Sequence, residues 1–385
     1  MMNIAIVAVG YNRPSSMKRL LNSLCEAKYD NKCDLIISLD YGKDQDELIH
    51  ISENIEWKNG KKRIRAFKEN QGLRNHILQC GDLTDEYDAV VVLEDDLVVA
   101  EVFFQYVTET VNFYKDNDKI AGISLYTHRT NPGNGRYFEA QFNGYDVFLM
   151  QYAQSWGQCW TKKMWRGFRN WYDSQLELDD DGLIPQYIVK WNKQSWLKYY
   201  IRYTVEKGLF HVYPYFSLTT NSSETGEHNT ERNSAYQVPL VYGNNHGYRF
   251  PSIEQSVKYD VFFERIFDTG KFDKNNSKAI VDLYGLKSTY DNADVLYSTA
   301  VLNYHIIDEI GLQYRPHEVN LIFQEHGKGI YVYDLHHREN NKDNNKLRIA
   351  SYDLRAENAK LTLLHGLNGY KRIIMYKLKK IFKKI

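Results

Sequence analysis

The sequence lacks several features that mark whole classes of protein. Its 49 basic residues are balanced by 49 acidic ones, so the formal net charge is 0 and no overall positive field favours nucleic-acid binding. No stretch reaches the roughly 20 apolar residues that a membrane-spanning helix needs. The chain runs directly into an apolar segment at residues 4–9 with no basic region before it. We therefore expect no signal peptide.

Cysteine is also scarce, and its spacing excludes a common metal site. The four cysteines are Cys25, Cys33, Cys80 and Cys159, and no two of them stand in a CxxC pair. A zinc site built on cysteine pairs is therefore not expected. Because the four residues are scattered through predicted helices and strands, they indicate reduced thiols in a cytoplasmic protein.

The most informative stretch is an apolar run at residues 89–93 that ends in three acids, Glu94, Asp95 and Asp96. Such a run is typical of a strand buried on both faces of a parallel sheet. Adjacent carboxylates repel one another and are costly to desolvate unless a cation neutralises them. The pattern predicts a Mg²⁺ or Mn²⁺ site for a phosphate-bearing substrate at the carboxyl edge of an open α/β sheet. A solvated acidic turn after a strand is the alternative.

The order of strand and helix patterns predicts the fold class. Residues 1–125 alternate between strands and helices, which is typical of an α/β fold with a mostly parallel sheet and helices on both faces. Beyond a turn-rich break at residues 131–135 the alternation weakens. We expect a first domain at residues 1–241, with a nucleotide-binding half at 1–125 and an acceptor half at 126–241. A smaller mixed α/β accessory region at 242–369 and a basic tail at 370–385 would follow.

Three polar segments follow predicted strands, at residues 10–14, 40–42 and 94–96. Because the carboxyl ends of parallel strands meet at one crevice, we expect these segments to converge. Arg13 can pair with a diphosphate or stack on a base, and Asp40 can accept the imide N–H of uracil. The acids can hold a metal that acts as a Lewis acid on a departing nucleoside diphosphate. Taken singly, Arg13 could instead be a surface residue at a helix start, and Asp40 a turn former.

These segments resemble the N-acetylglucosaminyltransferase I family of GT-A-fold glycosyltransferases and its bacterial polysaccharide-building relatives. The resemblance is carried by Asn12-Arg13-Pro14, by residues 38–42, and most specifically by residues 91–97 with 103–106 behind them. It continues more weakly through Trp156-Gly157 and Ser195-Trp196 to His228. It implies metal-dependent, inverting transfer of an N-acetylhexosamine or hexose from a UDP-sugar.

The resemblance also implies roles for individual residues. Arg13 and Asp40, with Asn12 beside them, would contact the uridine. Asp95 would face the ribose and the sugar, and Glu94 would orient the donor sugar. Asp96 would bind Mn²⁺ or Mg²⁺ directly. The polar loop at residues 221–229, which includes His228, would order over the bound donor, and its Ser, Gly and Asn content suits a mobile lid.

The catalytic base is where the sequence departs from the family. Inverting transfer needs a carboxylate to take the proton from the acceptor hydroxyl. The family's base precedes a tryptophan that matches Trp196, but here that position is Ser195. The candidates that remain are acids of two polar loops, Asp179, Asp180, Asp181 and Glu224. For each of them a solvated acidic loop is the alternative.

The last residues, 370–385, contain no acid and repeat apolar residues at helical spacing, namely Ile374, Leu378, Ile381 and Ile385. This pattern predicts a basic amphipathic helix that lies on an anionic membrane surface. A solvated helix docked on its own domain is the alternative.

The sequence thus predicts a glycosyltransferase that extends a bacterial surface polysaccharide, such as a capsule or O-antigen. It would be cytoplasmic and peripheral at the inner face of the membrane, with a UDP-sugar donor, a glycan or lipid-linked glycan acceptor, and no nucleic-acid partner. One alternative is a sugar-phosphate nucleotidyltransferase, which should carry a glycine-rich loop where residues 10–14 have one glycine and a proline. The other is a non-catalytic nucleotide-sugar-binding or scaffold protein of the same fold, which Ser195 would suit.

Overall fold

A computed structural model of the chain describes residues 2–174, 178–222, 236–243, 247–267, 278–354 and 358–382, without the side chains of residues 359, 372–373 and 376–382. The chain forms two compact units. The first unit comprises Met1–Asp268 with Leu286–Tyr290, and the second comprises Thr269–Gly285 with Asp291–Ile385.

The first unit is built on strands and helices that alternate at its start. Its strands are β1 Ile4–Gly10, β2 Asp34–Leu39, β3 Lys62–Ala66, β4 Ala89–Glu94, β5 Leu97–Val99, β6 Ile120–Ser124, β7 Val147–Met150, β8 Gln158–Thr161, β9 Phe210–Pro214, β10 Thr219–Asn221 and β11 Lys258–Tyr259. Its helices are α1 Pro14–Glu26, α2 Gln45–Asn54, α3 Gly72–Gly81, α4 Phe103–Tyr114, α5 Lys162–Tyr172, α6 Gln186–Val189 and α7 Leu197–Glu206, and a short 3-10 turn covers Asp82–Asp85.

Nine of these strands form one sheet in the order β11-β7-β9-β6-β8-β4-β1-β2-β3. Strands β4, β1, β2 and β3 are parallel to one another. Strand β8 lies between β6 and β4 and is antiparallel to both. All seven residues of β1 are buried, and since alternate residues point to opposite faces, both faces of the sheet are covered there. The predicted α/β fold with a mostly parallel sheet is confirmed.

Helix α1 shows how local sequence positions the sheet edge. Pro14 occupies the first turn, where a missing N–H costs nothing. Met17, Leu20, Leu21 and Leu24 recur at helical spacing and are fully buried. The helix therefore begins directly after β1 and turns back along the sheet, which keeps residues 11–13 at the carboxyl edge.

The second unit contains a smaller mixed sheet. Its strands are β12 Ala279–Asp282, β13 Val295–Ser298, β14 His305–Gly311 and β15 Gly329–Asp334, in the order β12-β13-β15-β14. Only the β12–β13 pair is parallel among these described strands. The helices are α8 Val319–Phe323, α9 Lys346–Leu354 and α10 Ala359–Phe382. This small sheet confirms the predicted mixed C-terminal region.

Three further sequence expectations meet observations here. Strand β11 pairs with β7, so the first compact unit runs beyond residue 241, and the functional boundaries proposed at 241 and 369 stay predictions. All four cysteines are free thiols. Among the described residues, no helix combines the length and the apolar character that crossing a membrane requires.

Candidate functional site

The three acids that end β4 lie beside the segment that ends β1. The two strands are parallel neighbours, with Val9 opposite Glu94. Arg13 therefore reaches the acids: one guanidinium nitrogen is in a short ion pair with Asp95, and Nη1 lies 3.3 Å from Oδ2 of Asp96. The backbone N–H of Tyr11 donates to Oδ2 of Asp95 at 3.4 Å. We call Glu94, Asp95 and Asp96 the acid cluster.

The turn after β1 is held in place by the segment after β2. Asn12 adopts a left-handed backbone conformation with φ of +49°. Its Oδ1 accepts the N–H of Asp44 at 3.3 Å. A Cβ at Gly42 would lie 2.2 Å from the same oxygen, so only glycine allows this approach. The ends of β1 and β2 are thus locked together, as the convergence of the sequence segments predicts.

Burial gives the acid cluster unusual electrostatics. Asp95 is 3% exposed, and this burial raises its pKa to about 7 although the charge of Arg13 lowers it. Glu94 keeps some exposed surface area but is densely surrounded by protein atoms. That burial raises the pKa of Glu94 to about 8, with the nearby charge of Asp96 acting in the same direction. One arginine therefore does not compensate the three carboxyl groups.

One oxygen of the cluster has no partner. Oδ1 of Asp96 is buried and accepts no hydrogen bond from any described residue. Within the same part of the chain, no group of three or more His, Cys, Asp or Glu side chains is arranged to hold a metal ion. Within the described ranges, Asp96 therefore fits a metal as one of at most two such protein ligands, with a substrate phosphate and water completing the shell. Mg²⁺ commonly binds proteins in that way.

Asp40 lies at the end of β2 and is 3% exposed. Its Oδ1 accepts the N–H groups of Tyr41 and Gln71 at 2.8 Å each, and its Oδ2 accepts the N–H of Gly72 at 3.1 Å. These bonds tie β2 to the start of α3. A carboxylate offers about four acceptor positions, so one remains. The predicted contact of Asp40 with uracil stays a prediction.

The polar loop predicted at residues 221–229 starts at the acid cluster. Strand β10 pairs antiparallel with β5, with Asn221 opposite Leu97. The N–H of Ser222 donates to the carbonyl oxygen of Asp96 at 2.7 Å. Residues 223–235, which include Glu224 and His228, lie outside the described residues. Their predicted roles therefore stay predictions.

The chain returns from this loop onto the segment that precedes β8. The ring of Tyr236 lies 4.7 Å from that of Trp156, and the N–H of Val238 donates to Oγ1 of Thr220 at 2.9 Å. Gly157 follows with φ of +95°, and a Cβ there would lie 2.9 Å from Thr219. The described residues on either side of residues 223–235 are thus fixed, Ser222 at the acid cluster and Tyr236 at Trp156.

The acidic loop that supplied the base candidates is held by an arginine. Arg202 binds Asp181 through two hydrogen bonds of 2.6 Å and binds Glu206 at 2.5 Å. Hydrogen bonding from Arg202 lowers the pKa of Asp181, which makes this carboxylate a weak base. Asp180 accepts a hydrogen bond from Gln186 at 3.3 Å and is exposed. Neither contact involves the acid cluster.

The structure therefore assembles part of the predicted site. It brings Arg13, Asp95 and Asp96 into contact and places Asn12 beside them. Asp40 instead binds the N–H groups at the start of α3, and Asp181 binds Arg202. Within the described ranges neither residue contacts the acid cluster. Sequence reasoning missed the N–H groups of Tyr11 and Ser222. Nearly every residue type has a backbone N–H, so the sequence does not indicate which of these groups will contact the site.

No protein-family model and no curated protein matches the sequence. Three solved structures are similar to part of it. S. aureus TarS 1-349 has 10% identity, covers 58% of this chain and 61% of its own, and has a TM-score of 0.39. The mannosyltransferase PcManGT from Pyrobaculum calidifontis, in complex with GDP-Man and Mn²⁺, has 10% identity, coverages of 42% and 45%, and a TM-score of 0.30.

The third structure, GalNAc-T7 with UDP, GalNAc and Mn²⁺, has 12% identity, coverages of 56% and 43%, and a TM-score of 0.37. The chain thus spans less than two thirds of the length of each of these structures. Likenesses of this size carry no argument about activity, so the functional case rests on the geometry around the acid cluster.

Proposed function

We propose that this protein is a metal-dependent glycosyltransferase of the GT-A type, which transfers an N-acetylhexosamine or hexose from a UDP-sugar to a glycan acceptor with inversion. The observation that carries the proposal is the buried Oδ1 of Asp96, which has no partner among the described residues and belongs to a cluster of three acids, two of which pair with the same arginine. Such a cluster is costly to keep unless a further cation binds it. A divalent ion that also binds a diphosphate would be that cation.

The proposal gives each residue of the sheet edge a task. Asp96 would hold Mn²⁺ or Mg²⁺, and the bound metal would stabilise the negative charge of the departing UDP. Arg13 would bind the uridine side of the donor, together with Asn12 and Asp40. Asp95 would face the ribose, and Glu94 would orient the sugar. His228 and the rest of the loop from Asn221 onward would cover the donor.

The candidates for the general base differ in their contacts. Arg202 holds Asp181 in its ionised form and lowers its basicity, so Asp180 and Glu224 rank ahead of it. Ser195 lies before the buried Trp196 and offers no carboxylate. A non-catalytic binding protein would also tolerate this serine. The acid cluster suits both proteins, since each would hold a metal-bound diphosphate, and UDP release distinguishes the enzyme from the binding protein.

The decisive experiment measures UDP release from a panel of UDP-sugars, first with Mn²⁺ and then with a chelator. We expect slow hydrolysis of one donor that stops when the metal is removed. UDP binding without release would support the non-catalytic alternative. If UDP neither binds nor is released, the proposal is wrong, and pyrophosphate release from a nucleoside triphosphate and a sugar phosphate would then support the nucleotidyltransferase.

We further propose that the acceptor is a glycan or lipid-linked glycan of a bacterial surface polysaccharide, reached at the inner face of the cytoplasmic membrane. The support is α10, in which apolar side chains are exposed, among them Leu363, Leu367, Tyr370 and Ile374. The apolar positions Leu378, Ile381 and Ile385 lie outside the residues whose side chains are described. An exposed apolar stripe with lysines beside it suits an anionic bilayer surface.

A truncation tests this membrane contact. Removal of residues 371–385 should abolish co-sedimentation with vesicles that contain an anionic lipid, because it removes both the lysines and the distal apolar positions. Wild-type protein with neutral vesicles is the control for charge. Donor hydrolysis by the truncated protein should match that of the full chain. Equal co-sedimentation of both proteins would exclude the tail as the membrane contact.

A further inference from the structure

Two buried glutamines four positions apart in the chain have opposite hydrogen-bonding states. Gln154 is 2% exposed, and both ends of its amide are paired. Its Nε2 donates to Oγ of Ser124 at 2.7 Å and to the carbonyl of Gly157 at 2.9 Å. Its Oε1 accepts the N–H of Trp156 in a short bond. Gln158 is 3% exposed, and neither its Nε2 nor its Oε1 has a partner among the described residues. A buried amide with both ends unpaired is rare and costly.

The strand register places Gln158 beside the acid cluster. Gln158 begins β8 and stands opposite Val92 of β4. Directly opposite residues of an antiparallel pair share a face of the sheet, and so do alternate residues along one strand. Gln158, Val92 and Glu94 therefore lie on the same face. Diagonal neighbours of this kind are separated by roughly 7–8 Å.

The serine hydroxyl on this face cannot satisfy the amide. Ser124 stands opposite Gln158 on β6. Its hydroxyl already donates to the carbonyl of Tyr126 at 2.6 Å and accepts from the N–H of Tyr126 and from Gln154. One donor and two acceptor positions are all that a serine hydroxyl has.

The same face continues into the aromatic core of this unit. Trp160 shares the face of Gln158, and its ring lies 5.8 Å from that of the buried Trp196. Gln158 therefore lies at the end of β8 that is nearer to the acid cluster, and the aromatic residues lie on its other side. A sugar attached to a metal-bound diphosphate would lie next to the acids that hold the metal.

We propose that Gln158 and Glu94 form a subsite for the transferred sugar, in which the amide of Gln158 donates to one sugar hydroxyl and accepts from another. This inference rests on the proposed function, because it takes the ligand to be a nucleotide sugar. Both ends of the amide are then paired only in the donor complex. A buried polar group that is built to bind a hydroxyl discriminates strongly against sugars that lack it.

The first test measures stability without any ligand. Gln158→Leu removes an unpaired buried amide and keeps a similar volume, so we expect the melting temperature to rise by about 2 °C. Gln154→Leu is the matched control, since it removes a paired amide from the same segment and should lower the melting temperature by about 4 °C or more. A fall in the Gln158 variant would show that its amide is already satisfied, and would overturn the proposal.

The second test separates the sugar from the nucleotide. Calorimetry with Mn²⁺ compares UDP with the UDP-sugar that the wild type hydrolyses, or with UDP-N-acetylglucosamine if none is hydrolysed. Gln158→Leu should weaken UDP-sugar binding at least about tenfold, because both hydrogen bonds to the sugar are lost, and leave UDP binding unchanged. Unchanged UDP-sugar binding, or equal losses for both ligands, would overturn the subsite alone. Absence of UDP binding by the wild type would overturn the proposed function, and the subsite with it.

Discussion

The chain contains two runs of three consecutive acids, and the fold treats them in opposite ways. The acid cluster at residues 94–96 follows a strand that is buried in the centre of the sheet. The run at residues 179–181 lies in an exposed loop between α5 and α6. Burial raises the pKa of Asp95 and Glu94, whereas hydrogen bonding from Arg202 lowers the pKa of Asp181.

The difference shows what turns acidic residues into a candidate site. Both oxygens of Asp181 accept hydrogen bonds from Arg202, which also binds Glu206, so two carboxylates share this arginine and both oxygens of Asp181 are paired. Asp95 and Asp96 share Arg13, and one oxygen of Asp96 has no partner in the described part of the chain. Affinity for a further cation depends on how much of the negative charge the neighbouring basic groups leave uncompensated. The number of acids in the run does not reveal that quantity.

The largest effect should come from replacing Asp96, whose Oδ1 has no partner among the described residues. Asp96→Asn should abolish measurable sugar transfer and weaken UDP binding in Mn²⁺ at least about 100-fold, because a neutral amide binds a divalent cation poorly. Asp181→Asn is the matched control from the other acidic run. It should leave UDP binding unchanged, since Arg202 already occupies that carboxylate. Calorimetry with UDP in Mn²⁺ measures both.

Two results would contradict this comparison. Normal UDP affinity in the Asp96 variant would show that the acid cluster is not the metal site. A loss in the Asp181 variant as large as that in the Asp96 variant would show that Arg202 does not isolate Asp181 from the donor. A melting curve for each variant confirms that the protein remains folded.

Much of the sheet edge could be predicted, because hydrophobic periodicity encodes it directly. The apolar runs at residues 4–9 and 89–93 define two buried strands, and helices between strands make the strands parallel. Parallel neighbours bring their carboxyl ends together, which places Arg13 beside Asp95 without any knowledge of the side-chain contacts. Patterns of this kind are local, so a sequence suffices to identify them.

The remaining features depend on contacts between distant residues. Arg202 lies in a helix and carries no signal that it binds Asp181. The pairing of Asp40 with the N–H groups of Gln71 and Gly72 joins segments whose approach only the folded chain defines. Gln158 and Gln154 are the same residue type in one short segment, and only the register of β8 distinguishes the paired amide from the unpaired one. Residue type and spacing do not contain that information.

The smallest effect concerns pH, and it separates the two acidic runs by sign. In metal-free protein with chelator, the folded pKa of Glu94 is about 8, well above the value near 4.3 of an unfolded chain. Between these values the folded state keeps a proton that the unfolded state has released. The contribution of Glu94 to stability is therefore full below about pH 4 and is lost as the pH rises to about 8. Asp181 behaves oppositely, because its pKa is lowered in the folded state. The contribution of Asp181 to stability is full above the ordinary pKa of aspartate and is lost as the pH falls through the lowered folded pKa.

Chemical denaturation of Glu94→Gln and Asp181→Asn from pH 4 to pH 9 measures both signs. Near pH 4 the Glu94 variant should approach the wild type, because Glu94 is then protonated in the folded state and largely protonated in the unfolded state. The Asp181 variant should remain less stable than the wild type at pH 4, because the lowered pKa keeps Asp181 ionised in the folded state. At pH 9 the Glu94 variant should be the more stable protein by on the order of 1 kcal/mol, since wild-type Glu94 is then ionised in a buried place. The Asp181 variant should be less stable than the wild type by under about 1 kcal/mol, since its ion pair is partly exposed. If both variants differ from the wild type with the same sign at pH 9, the folded protein affects the ionised forms of Glu94 and Asp181 in the same direction. The contrast between the two acidic runs would then be wrong.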